Sequence, residues 1–131
     1  MGNPVMFFEI AGKDGESLRD FYTALFDEWI ILPFGWSTSH FPNDILVIDP
    51  TPAPLTDEGI KGHIYPLPDE SDLSNRISIF IQVEDLQETL NKIEKHGGNT
   101  LVEPQELPNN IGSIAMFSDP SGNVIGLHQN P

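Results

Sequence analysis

Two segments of this chain carry the same pattern. VMFFEIAGKD (5–14) alternates in polarity, ends in an acidic turn and runs into SLRDFYTALF (17–26). ISIFIQVED (77–85) does likewise and runs into LQETLNKIEKHG (86–97). In the first copy Met6, Phe8 and Ile10 share one strand face, and Leu18, Phe21, Tyr22, Leu25 and Phe26 recur at helical spacing over about 16–28. In the second copy Ile77, Ile79, Ile81 and Val83 share a face. Leu86, Leu90 and Ile93 mark a helix stopped by Gly97-Gly98. Further strands are predicted at 29–35, 44–49 and 60–66, and again near 99–103, 111–118 and 123–129. The order is β-α-β-β-β, twice. A strand–helix unit duplicated within 131 residues fits one α+β domain. Module one covers about 4–66, the linker about 67–75 and module two about 76–131. Two segments read as connections. PTPAPLTDEG (50–59) is too rich in proline to pair inside a sheet, and DPSG (119–122) suits a type I turn.

Composition narrows the chemistry. There is no cysteine, so disulfides, thiolate metal sites and cysteine nucleophiles are excluded. The balance of 20 acidic against 6 basic side chains, formally −14, repels phosphate backbones and argues against nucleic acid. The same acidity mildly favours a cationic small molecule, although solvated turns account for most of it. No run reaches the roughly 18 apolar residues of a membrane span, and the N-terminus lacks the pattern of a secretion signal. A cytoplasmic protein is the expectation. No nucleophile elbow, P-loop or dinucleotide fingerprint occurs.

The helices need an apolar sheet face. That assigns Met6, Phe8, Ile10, Ile60, Ile64, Ile77, Ile79, Ile81, Ile125 and Leu127 to the helix side. The opposite faces carry Phe7 and Glu9; Lys61, His63 and Tyr65; Arg76, Ser78, Phe80 and Gln82; Val124, Gly126 and His128. This second set mixes polar and aromatic groups, as a pocket lining does. Phe7, Glu9, His63, Tyr65, Ser78, Phe80, Gln82 and His128 are its candidate ligand-binding residues.

The chain resembles the glyoxalase/bleomycin-resistance/extradiol-dioxygenase superfamily, also called the vicinal oxygen chelate proteins. The likeness rests on F8-E-I followed by F21-Y22-x-x-L-F26, on G62-H-I-Y-P66, and on D119-P-S-G-N-V-I-G-L127, in that order. It implies two βαβββ modules forming a cupped mixed sheet around a cavity, and often a homodimer. It also implies one divalent metal held at four positions, which are Phe7, His63, Ser78 and Gly126 here. Only His63 keeps a ligand-type side chain, and one imidazole is too few for a stable site. No cofactor is therefore expected. A displaced metal site or a metal-free acid–base site built from Glu9, His63 and His128 is the alternative. Three functions compete: a metal-independent small-molecule-binding protein, a glyoxalase-type lyase, isomerase or oxygenase, and a structural module without pocket chemistry.

Overall fold

A computed structural model describes residues 2–26, 29–38, 41–49, 60–68 and 75–131. The proline-rich segment 50–59, His40 and residues 69–74 of the expected linker lie outside the described residues. Among those described there are eight strands and two α-helices, in the expected order. They comprise β1 (Val5–Gly12), α1 (Gly15–Leu25), β2 (Ile30–Pro33), β3 (Leu46–Asp49), β4 (Lys61–Pro66), β5 (Arg76–Gln82), α2 (Leu86–Lys95), β6 (Asn99–Glu106), β7 (Ser113–Ser118) and β8 (Val124–Gln129).

The chain forms two compact units, one of Phe7–Ile77 and one of Met1–Met6 with Ser78–Pro131. In the first, the strands run β2-β3-β4-β1, with β1 and β4 parallel and the other neighbours antiparallel. In the second they run β5-β8-β7-β6, with β5 and β8 parallel and the rest antiparallel. The N-terminus belongs to the second unit through its hydrogen bonds: Gln82 N–H donates to Pro4 O, and Asn3 Nδ2 donates to Gln82 O. The duplication read from sequence is thus a duplication of strand order.

Matching local signals start the two helices. The Asp14 carboxylate accepts from Ser17 N–H at 2.9 Å, and the Asp85 carboxylate from Glu88 N–H at 2.9 Å. Each satisfies an otherwise open first-turn donor. Helix α2 ends where Gly97 takes φ of +98°, which lets Gly98 N–H reach Ile93 O. His96 binds the Lys92 carbonyl through Nδ1 in that last turn. Strand β6 runs past the expected 103 to Glu106 through two register shifts, and tolerates Pro104 because it is the last strand of its run.

Each helix seals one core. Leu18 and Tyr22 of α1 pack with Ile10, Ile31, Ile48 and Ile64. Leu86, Leu90 and Ile93 of α2 pack with Val83, Ala115 and Leu127. The expected helix-side set is only partly buried, however. Met6, Ile60, Ile77 and Ile79 are exposed, Ile77 at 73%. Ile60 precedes β4, and Met6 and Ile77 lie near the start of β1 and β5. The opposite face is the better buried one: Glu9, His63, Tyr65, Ser78, Phe80 and His128 are all below 9% exposed.

One close approach repeats. Phe8 pairs in register with Gly62, and Phe80 with Gly126. In each case the phenyl ring lies where a β-carbon on the glycine would sit. A side chain at either glycine must displace a packed ring. Gly126→Ala should therefore cost about 1–3 kcal/mol of unfolding free energy in urea titration. Combining it with Phe80→Leu should return part of that loss. A Gly126→Ala protein as stable as the parent would show that the ring yields freely.

Candidate functional site

The parallel pairing of β1 with β4 places Glu9 directly beside His63. His63 Nε2 lies 2.8 Å from Glu9 Oε1, and Arg76 Nη2, from the first residue of β5, lies 2.5 Å from Glu9 Oε2. Ionised Glu9 accepts from both, so each carboxylate oxygen has a charged or polar donor. The carboxylate is 3% exposed, and its partners are 11% and 10% exposed. A carboxylate so deeply buried is tolerable only when paired and hydrogen-bonded. The Phe7 ring leans on His63 at a centroid distance of 5.5 Å, closing the group on a third side.

Tyr65 lies two residues beyond His63 on β4 and so shares its face. Its ring is 4% exposed, and its hydroxyl makes no hydrogen bond to any described residue. A buried hydroxyl in that state costs on the order of 1–3 kcal/mol. Burial, and next the negative charge of Glu9, push the Tyr65 phenol above its ordinary range. The Asn43 backbone amide and the Arg76 charge oppose this in part.

Tyr65 also ends a row of rings. Phe41 meets it edge-on at 5.5 Å, Trp36 follows at 5.6 Å from Phe41, and Phe34 at 6.5 Å from Trp36. The row is held from below by polar groups. The Asp44 carboxylate accepts the backbone N–H groups of Gly35 and Trp36 at 2.8–2.9 Å. Asn43 Nδ2 ties the same loop to Pro66 O at the end of β4.

The remaining candidates belong to the second unit. Ser78 Oγ donates to Val124 O at 2.7 Å. The Phe80 ring covers Gly126. His128 Nδ1 lies 2.8 Å from Gln82 Oε1, and its Nε2 lies 2.9 Å from Ile111 O. A backbone carbonyl can only accept, so Nε2 carries a proton. The polar strand faces are therefore organised as two groups, Glu9–His63–Arg76–Tyr65 in one unit and Gln82–His128–Ile111 in the other. Arg76, Asn43 and Asp44 complete the first group; Arg76 was expected on the pocket-lining face but not among the candidate ligand-binding residues, and Asn43 and Asp44 were expected in neither. Asn43 and Asp44 lie in a loop where no periodicity speaks. Arg76 lies 67 residues from its partner.

The chain belongs to the Glyoxalase/Bleomycin resistance protein/Dioxygenase superfamily, whose sequence pattern it matches over residues 5–127. No curated protein matches by sequence. Among solved structures, a hypothetical protein from Bacillus halodurans C-125 is similar at TM-score 0.66 and 16% identity, covering 100% of this chain and 96% of that one. Methylmalonyl-CoA epimerase from Mycobacterium tuberculosis is similar at TM-score 0.66 and 14% identity, covering 97% and 87%. A glyoxalase I mutant from Zea mays is similar at TM-score 0.63 and 19% identity, covering 99% of this chain and 44% of that one. At such identities the likeness is one of fold.

The Tyr65 environment has a pH consequence. A phenol whose folded pKa exceeds the unfolded value near 10 adds stability that is fully present below about pH 10. It is lost as the pH rises through the raised folded value. Urea unfolding of the parent should weaken above about pH 10 more steeply than that of Tyr65→Phe. Parallel stability curves for the two proteins would mean that Tyr65 ionises as freely when folded as when unfolded.

Proposed function

We propose that this protein binds a small organic molecule on the Glu9–His63–Tyr65 face of its first unit, without the superfamily's divalent metal. The observation that carries the reading is the state of Glu9, whose two oxygens already serve Arg76 and His63. Recruiting Glu9 and His63 to a metal would break a buried ion pair, which is strongly unfavourable. The four expected metal positions do not fit the ion either. Phe7 and Gly126 have no donor atom, and the Ser78 hydroxyl is directed to Val124 O. Among the described residues no three His, Asp or Glu side chains gather as a metal-holding set. Ser78, Phe80, Gln82 and His128 support the second unit's polar face in this reading, with His128 held by Gln82 and Ile111.

A second reading has one specific support. The 2.8 Å contact between Glu9 and His63 is a geometry through which a proton can move. Two of the structurally similar proteins are named as an epimerase and a glyoxalase. In that reading the same face is a metal-free acid–base site of lyase or isomerase type.

Metal analysis separates these readings from metal-dependent chemistry. The protein is incubated with excess Zn²⁺ or Ni²⁺, desalted and assayed for metal, alongside His63→Ala. Both proteins should retain far less than one ion per chain. Thermal-shift hits from a small-molecule screen should survive added EDTA. One ion retained per parent chain and lost in His63→Ala, or hits abolished by EDTA, would overturn the proposal.

A further inference from the structure

The two partners of Glu9 differ in what they can do. The Arg76 guanidinium only donates, and it keeps its charge. It lies 2.5 Å from Glu9 Oε2, and both side chains are buried, so little solvent screens one charge from the other. His63 can meet Glu9 Oε1 in two ways. An ionised Glu9 only accepts, which requires the imidazole proton on Nε2. A protonated Glu9 would donate, which requires the lone pair on Nε2 and the proton on Nδ1. The second arrangement removes the negative charge facing Arg76. It exchanges a charge-assisted hydrogen bond for a weaker neutral one at a buried site. The first keeps both bonds charge-assisted. The in-register pairing of Glu9 with His63, and the Phe7 ring 5.5 Å from the imidazole, accompany a ring placed with Nε2 toward the carboxylate.

From this geometry we infer that Arg76 is a positioning residue for His63: by holding Glu9 ionised it fixes the proton of the neutral imidazole on Nε2 and the lone pair on Nδ1. Nδ1 is then the basic atom of His63, the one that takes a proton in the acid–base reading or accepts a hydrogen bond in the binding reading. Nε2 cannot offer a lone pair to a metal while Glu9 is ionised, because a ligating nitrogen must first give up its proton. The assignment of the proton stands apart from the proposed function. Only its consequence for a ligand or a transferred proton rests on that reading.

Two-bond proton–nitrogen correlation spectra of the ¹⁵N-labelled protein at about pH 8, above the ordinary histidine range, read which ring nitrogen carries the proton. The chain has four histidines, and the signals lost in His63→Gln identify His63. In the parent, the form with the proton on Nε2 should exceed the other by more than about tenfold, the size of one charge-assisted hydrogen bond. Arg76→Lys keeps the charge and should keep this pattern. Arg76→Met should lose it, either because Glu9 takes a proton and that of His63 moves to Nδ1, or because the ring gains a second proton in place of the missing charge. The parent spectrum decides even where Arg76→Met does not fold. A parent with the proton on Nδ1, or with both nitrogens protonated at that pH, would overturn the inference. So would a folded Arg76→Met protein with the parent's pattern. Each of these results leaves the binding role standing, whereas hits abolished by EDTA would overturn that role and leave the tautomer unaffected.

Discussion

Glu9 is 2% exposed in the middle of a strand, beside a histidine in parallel register and against an arginine brought from 67 residues away. A carboxylate cannot be buried there alone. Its desolvation is offset only if both oxygens find donors of sufficient strength, and His63 and Arg76 are those donors. The same arrangement fixes the orientation of the imidazole and anchors the first residue of β5. The Glu9 charge, opposed in part by that of Arg76, adds to burial in raising the Tyr65 phenol. Chemistry proposed for this face therefore starts from a carboxylate that is already committed.

The two units share strand order, helix caps and a phenylalanine laid over a glycine, but they use their polar face differently. One holds an ion pair with an open phenol beside it. The other holds a histidine between a side-chain amide and a backbone carbonyl, with Phe80 occupying the space a side chain at position 126 would need. The positions that the family resemblance would make metal ligands are Phe7, His63, Ser78 and Gly126. Donor atoms are absent at two positions, and a packed ring stands against restoring one of them.

Much of the fold was legible in the sequence because its signals are local. Asp14 and Asp85 announce the helix starts. Gly97-Gly98 announces a helix end, and period-two alternation locates β1 and β5. The alternation also identified the polar face, since Glu9, His63 and Tyr65 share one side and Glu9 meets His63. What alternation could not show was depth. It assigned Ile77, Ile79, Met6 and Ile60 to a helix-covered face, yet all four are exposed, because period-two alternation gives the side of a strand and not what packs on it. Nor could it pair Glu9 with Arg76, or see that Asp44 holds the backbone under Trp36. Both contacts depend on where the chain returns in space, and the residues between carry no period that encodes it.

A double-mutant cycle on Glu9 and Arg76 measures the buried pair directly. Arg76→Met leaves a buried carboxylate without its strongest partner and should cost about 3–5 kcal/mol of unfolding free energy in urea. Glu9→Leu removes the charge that holds Arg76 and should also destabilise. The double variant should be more stable than the sum of the two losses predicts, with a coupling of about 2 kcal/mol or more. Additive losses, with no coupling beyond about 0.5 kcal/mol, would mean that Glu9 and Arg76 do not form the ion pair on which the rest of the site depends.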